Sequence, residues 1–289
     1  MAGVFLAAGH NGQRALSRDG REWRPPTLGQ EGEICRGAAI GAGKLVTVGT
    51  RGGDQLLAYS ADGAEWKQTK REGGYGGYVR AVSFLNGKFI ALGGDPGSVG
   101  AANPYVIFSD DGETWTANHP IGGKFMLRRI AFGGGRYVGV GDRGRRAHSE
   151  DARKWTDIEK VKPLETLVDI AFGAGIFVGV GLHGLRMTTA DGAAWSEPLV
   201  GEEGEHLNTI LWADDHFVAI GAGVTFLSPD GKTWERKANV NAPLVAAYGD
   251  NTFVGAKWRG RLLRSTDGIT WEETLKAEQP VEAIAFGGL

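Results

Sequence analysis

One pattern recurs seven times along the chain: Ser or Thr, any residue, Asp, usually Gly, two further residues, then Trp. The copies begin at Ser17, Ser60, Ser109, Ser149, Thr189, Ser228 and Ser265. Their acids are Asp19, Asp62, Asp111, Asp151, Asp191, Asp230 and Asp267, and each pattern closes on a Trp, from Trp23 to Trp271. The intervals run from 37 to 49 residues, and their mean equals one seventh of the 289-residue chain to within a residue. The repeats therefore consume the whole sequence. A unit of this size cannot bury an apolar face alone and must stack on its neighbours.

Two further segments recur in register. One ends in an aromatic, as in Arg129-Ile-Ala-Phe-Gly, Asp169-Ile-Ala-Phe-Gly and Ala283-Ile-Ala-Phe-Gly. The other is an apolar run closing on Gly, as in Tyr137-Val-Gly-Val-Gly141 and Phe177-Val-Gly-Val-Gly181. Both are short, rich in β-formers and bounded by Gly or Asp-Gly, and nothing has sustained helical periodicity. Each repeat reads as four antiparallel strands, A to D, with the Ser-x-Asp pattern between C and D. Four-stranded units at this period are propeller blades. The expected fold is all-β, a single seven-bladed β-propeller over residues 1–289. The chain starts on a B strand and ends on an A strand, so blade 1 should form from 1–27 plus 280–289. Pairing of the C-terminal strand into blade 1 then closes the ring and leaves no open edge.

The Ser-x-Asp-Gly-x-x-Trp unit resembles the bacterial neuraminidase repeat, the Asp-box of sialidase-like propellers, in a form one residue shorter between Asp and Trp. The resemblance spans all seven repeats and implies a propeller. It does not extend to sialidase chemistry: the Arg-Ile-Pro motif of those enzymes is absent, and the nearest string is Arg128-Arg129-Ile130-Ala131. Asp and Ser side chains bond nearby backbone N–H groups and hold tight turns. One carboxylate per turn is too few for the six to eight oxygens that Ca²⁺ takes. The seven Asp are therefore expected to be structural, with Ala152, which replaces Gly in blade 4, in the most strained turn.

Composition fits this reading. Gly supplies 48 residues, more than twice its usual share of roughly 7%, while nine Trp and twelve Phe argue against disorder. A net charge of −2 gives no bulk attraction to nucleic acid or anionic membrane. The single Cys35 excludes an intrachain disulfide and a multi-cysteine zinc site. The apolar stretch from Ile170 to Leu182 is too short and Gly-rich to span a bilayer. With no cationic signal segment at the start, a cytoplasmic monomer without metal or cofactor is the expectation. Gly179-Val-Gly181-Leu-His-Gly184 and Gly139-Val-Gly141-Asp-Arg-Gly144 match a dinucleotide fingerprint, but both lead into a strand where the fingerprint requires a helix.

Function on a propeller resides in loops on a rigid scaffold. The B–C and D–A loops should share the face opposite the Asp-boxes. Long insertions fall early, at 24–36, at 70–78 with Tyr75 and Tyr78, and at 94–104 with Asp95. Aligning the A strands puts Arg36, Arg80 and Arg128 at one position in three consecutive blades, followed by Val168, Asn208, Leu244 and Glu282. B–C turns add Arg51, Arg143 and Arg259. Converging arginines would bind a carboxylate or sulfate; alternatively each pairs with an internal acid such as Glu33, Asp142 or Glu282. Trp258, the one Trp outside the repeat positions, sits between Lys257 and Arg259 and suits stacking on a sugar or protein. The expected role is non-enzymatic binding of a protein partner or an anionic glycan on the face of blades 1 to 4, with Trp258 across the channel. The alternatives are a carbohydrate-active enzyme, a glycoside hydrolase or lyase using Asp95, Asp142 or Glu282 as acids, and a structural module of an assembly.

Overall fold

The computed structural model describes residues 3–71, 77–95, 102–159 and 161–289. They form seven four-stranded antiparallel blades around an axis. In blade 4, for example, A is Leu127–Gly133, B Arg136–Gly141, C Arg146–Ser149 and D Thr156–Asp157, paired in that order. The outer strand shrinks to isolated bridges in blades 1 and 5, Ser17 to Trp23 and Arg186 to Leu199. Blade 1 is completed from both chain ends: Val281–Gly288 pairs antiparallel with Gly3–Gly9, from Gly3 opposite Gly288 to Gly9 opposite Val281.

The A strands line the axis, and their aromatics build the inner ring. Phe84, Phe132, Phe172, Trp212, Tyr248 and Phe286 each pack on the first B-strand aromatic of their own blade, with centroids 4.5–4.7 Å apart. Four of these rings, Phe84, Phe172, Trp212 and Phe286, lie over the glycine that ends strand A of the preceding blade, whereas Leu85 and Ala213 end the strands before Phe132 and Tyr248. A Cβ on Gly173 would stand 2.1 Å from the Trp212 ring, and one on Gly41 2.2 Å from Phe84. The Ile-Ala-Phe-Gly signature is thus an interlocking pair: the aromatic reaches back to one blade, and the glycine receives the next.

The Ser-x-Asp-Gly-x-x-Trp repeat, called here the box, closes each outer turn with nearly the same bonds. Asp19 Oδ1 accepts the N–H groups of Arg21 and Glu22 at 2.8 and 3.0 Å, and each of the other six box acids accepts the equivalent pair. The box hydroxyl accepts the Gly N–H at 2.7–2.9 Å in six copies. Each Trp indole donates to the carbonyl of the fourth box residue at 2.7–3.2 Å. As expected, Ala152 holds a positive φ of 60° where the other six copies use Gly. Only Trp115 and Trp271 are fully buried. Three of the half-buried box indoles carry an arginine on one face instead: Arg14 over Trp66 at 4.4 Å, Arg146 over Trp195 at 5.5 Å and Arg186 over Trp234 at 5.6 Å.

These three arginines open strand C of blades 1, 4 and 5 and are buried between blades. The equivalent position elsewhere is Leu57, Val106, Thr225 or Leu262. Each arginine faces an acid of the next D–A loop. Arg14 lies 3.8 Å from Glu33 and Arg146 2.9 Å from Glu165. Burial pulls Arg186 below its ordinary pKa, and Glu205 opposes this. Cys35 is also buried, and loss of solvent pushes its thiol up.

Two outcomes follow from the box geometry. A Cβ on Gly63 would stand 2.0 Å from Leu16 Cδ1, at a φ of +80°. Gly63→Ala should therefore cost on the order of 2 kcal/mol in denaturant unfolding; a change within experimental error would contradict the packing. The box carboxyls are also held below the ordinary Asp value. In six, backbone N–H bonds are the main cause; in Asp267, burial acts upward and those bonds outweigh it. Groups lowered on folding stabilise the fold above the unfolded-state pKa of about 3.9 and lose that contribution as pH falls through their folded values. Stability should hold from neutral pH to about 4 and decline below it, and Asp230→Asn should reduce that decline.

Candidate functional site

The face formed by the B–C turns and D–A loops is called here the upper face; the Ser-x-Asp turns and A–B turns form the lower face. An axial cavity of about 450 Å³ is lined by the seven A strands. Its polar lining includes Arg129, Asp169, Asn208 and Glu282. A second cavity, about 640 Å³, lies on the lower face between the first two boxes and is lined by Asp19, Trp23, Asp62 and Leu289.

The column of arginines has a structural origin. Strand A bulges in six blades: the residue between Cys35 and Gly37, between Val79 and Ala81, and between Leu127 and Arg129 is extra relative to strand B. The same holds at Val168, Asn208 and Glu282. A bulge re-aims one side chain and bends the strand, here toward the glycine ending strand B. A Cβ on Gly49 would lie 1.9 Å from the Ile34 carbonyl oxygen. Arg36, Arg80 and Arg128 are thus the bulge residues of blades 2, 3 and 4, and they meet acids. Arg36 Nη1 lies 3.5 Å from Glu282 Oε2, and His10 Nε2 lies 2.9 Å from Glu282 Oε1. Arg128 Nε donates to Asp142 Oδ1, and Arg80 lies 3.8 Å from Asp142 Oδ2. Burial and the neighbouring Arg128 pull Arg80 below its ordinary value, against Asp142.

Arg129 was not part of that column, yet it faces the axis. It lies 3.9 Å from Asp169, whose carboxylate also accepts the N–H groups of Ile170 and Ile210 at 3.0 and 2.9 Å. Burial pushes the Asp169 carboxyl up, and Arg129 and the two N–H groups oppose it. Asp169 so ties blade 5 to blade 6 at the channel wall. The three channel-mouth acids, Asp142, Asp169 and Glu282, each face at least one guanidinium.

The other sequence candidates are dispersed. Arg51 donates to Gln30 across the 24–36 loop. Tyr78 is half-buried in strand A of blade 3, where its carbonyl accepts the Tyr105 hydroxyl at 3.0 Å. Asp95 accepts the Asn103 amide at 2.7 Å. Tyr75 and the 96–101 part of the insertion lie outside the described residues. Arg143, Trp258 and Arg259 are exposed at turn apices, and Trp258 is 68% accessible.

Exposed apolar side chains show what the sequence search missed. Eight large ones are exposed among the described residues, and all eight fall on upper-face segments. Leu182 and Trp258 sit in B–C turns; Leu28, Leu164, Leu199, Val200, Val240 and Leu244 sit in D–A loops or where these enter strand A. Seven of them border blades 5 to 7, beginning with Leu164 between blades 4 and 5. Leu164 and Val240 are 90% and 88% accessible. The expected site on blades 1 to 4 is therefore not where the apolar surface concentrates. The loops carry no shared period, so the only available signal was the presence of Leu or Val in segments where turn residues belong.

Among the described residues no group of three or more His, Cys, Asp or Glu is placed to hold a metal, and no helix is long and apolar enough to cross a membrane.

No family model matches the chain, and no curated protein sequence matches it. Its similarity is to solved propellers. YCF48 bound to D1 peptide superposes with a TM-score of 0.69 at 17% identity, covering 90% of this chain and 86% of that one. The WD40 propeller domain of Doa1 gives 0.66 at 12% identity over 98% and 90% of the two chains. Virginiamycin B lyase from Staphylococcus aureus gives 0.63 at 11% identity over 83% of each. At these identities the likeness is one of fold.

The shared acid at the mouth can be tested directly. Asp142→Asn removes the carboxylate between Arg80 and Arg128 and leaves two adjacent guanidinium groups. Added sulfate should then raise the melting temperature of the variant more than that of the wild type; equal shifts would show that the pair does not form an anion site.

Proposed function

We propose that this protein is a non-enzymatic binding propeller that docks a protein partner on its upper face. The observation that carries the reading is the one-sided distribution of large exposed apolar side chains: among the described residues all eight lie on upper-face segments and none on the lower face. Scattered exposed apolar residues are ordinary, whereas their concentration on one face marks an interaction surface. An aromatic anchor such as Trp258, rimmed by Lys257 and Arg259, has the composition of an interface hot spot. The support from known propellers is of the same kind, since the YCF48 structure holds a D1 peptide. Against catalysis stands the ion pairing of the channel-mouth acids, because a general acid or a nucleophile in glycoside chemistry must be free to exchange a proton or attack. The same pairing weighs against the anionic glycan, whose recognition would draw on Arg36, Arg80 and Arg128.

The reading is tested by affinity capture from the source organism with three forms of the full chain: wild type, Trp258→Asp with Val240→Asp, and Lys232→Glu on the lower face. A partner protein should be retained by the wild type and the lower-face variant, and reduced about tenfold or more by the upper-face variant. Equal retention by all three, or selective binding of acidic glycans on an array without a protein partner, overturns the proposal.

A further inference from the structure

Three B–C turns hold a cationic or imidazole side chain in a backbone conformation that L-residues avoid. Arg143, His183 and Arg259 have φ of 55°, 56° and 65°, and each is followed by a glycine that is also left-handed. The equivalent turn of blade 1 uses Asn11-Gly12, with φ of 50° and 60°. Asn and His tolerate this region better than most residues; Arg gains nothing there from local hydrogen bonding. The turns are held in place from outside. Gly144 N–H donates to Thr166 Oγ1 at 3.1 Å, Gly201 N–H to the His183 carbonyl at 2.9 Å, and Ala277 N–H to the Gly260 carbonyl at 2.8 Å. Strain that the surrounding structure enforces at an exposed site points to a role for the side chain.

All three side chains are exposed, and Arg143, Arg259 and the adjoining Lys257 have no ion-pair or hydrogen-bond partner among the described residues. Two of the apices place an exposed apolar residue directly before the left-handed residue: Leu182-His183 and Trp258-Arg259. Most acids of the same loops are already engaged. Glu165 meets Arg146 and Lys162, Glu202 and Glu205 meet Arg236, and Asp142 meets Arg128 and Arg80. Glu159, Glu203 and Glu278 are the exceptions. Arg143, Lys257 and Arg259 thus place positive charge at the turn apices beside the apolar anchors, without an ion-pair partner among the described residues.

We propose that the B–C apices of blades 4, 5 and 7 form the cationic rim of a docking surface for an acidic segment of a partner protein that also carries apolar anchors. The carboxylates of that segment would meet Arg143 and Arg259 while its apolar side chains cover Leu182, Leu244 and Trp258. The inference rests on the protein-binding reading above and adds the chemistry of the partner. It accounts for the strain: the left-handed apex directs a long cation outward, and the blade 1 turn, without that task, uses Asn.

The test selects random linear peptides displayed on phage against the full chain, with heparin binding measured alongside. Peptides recovered by the wild type should be rich in Asp and Glu together with Leu, Ile or Phe, and their binding should weaken as salt is raised. The double variant Arg143→Asn, Arg259→Asn installs the residue blade 1 already uses, so its melting temperature should stay level or rise. Its affinity for the selected peptides should fall about tenfold. Recovery of neutral apolar peptides that bind the double variant equally well overturns the acidic partner but leaves the docking face intact, provided Trp258→Asp abolishes their binding. Failure to enrich any peptide, or binding of heparin in their place, overturns both. A fall in melting temperature without loss of binding would make Arg143 and Arg259 structural and also overturn the proposal.

Discussion

The ring depends on a contact between an aromatic side chain and the absence of one. At four junctions around the axis, the last aromatic of strand A leans over the glycine that ends strand A of the blade before it. Any side chain at Gly41, Gly133, Gly173 or Gly249 would occupy the space of Phe84, Phe172, Trp212 or Phe286. This contact sets the angle between blades, because two sheets packed face to face would otherwise stand about 10 Å apart along their whole length. Wedge-shaped blades follow from it: tight at the axis where glycine meets ring, wider outside where box indoles and buried arginines fill the gap. Phe286 belongs to the same series and closes the ring, since Gly249 of blade 7 receives it and Phe5 of the opposite chain end packs on it at 4.7 Å.

The box and the bulge divide the work between the two faces. On the lower face, the Asp, the Ser or Thr hydroxyl and the Trp indole answer the same backbone groups in nearly every copy, so seven turns have almost no freedom to vary. On the upper face, the bulge places one extra residue in the A strand of six blades and asks nothing of its chemistry. Six blades therefore carry Arg, Arg, Arg, Val, Asn and Glu there, and this variability lets Arg36 reach Glu282 across the closure and lets Arg80 and Arg128 share Asp142. Rigidity below supports diversity above.

What the sequence made legible was what it repeated. Asp19 to Asp267, the A and B strands and the completion of blade 1 from both ends all follow from periodicity, and their roles follow from turn chemistry. What it concealed lies in departures from the period. Arg14, Arg146 and Arg186 occupy positions where Leu57, Val106 and Leu262 stand elsewhere, so they look like irregularities of strand C, and only the fold reveals Trp66, Trp195 and Trp234 beneath them. Insertion length drew attention to blades 1 to 3, whereas Leu164, Val240 and Leu244 lie in loops of ordinary length. Arg143 and Arg259 were visible as residues, but their left-handed conformation depends on how the following D–A loops grip the turns.

The closure has a mechanical consequence. Gly3 stands opposite Gly288, so both chain ends leave the same end of one antiparallel pair. A force that separates the ends loads the hydrogen bonds between those strands one after another, as in a zip, where strands pulled from opposite ends would share the load. The ring is therefore weak to tension at this one seam. Tension would open blade 1 first and leave the turns of blades 4 and 5, on the far side of the axis, to the last.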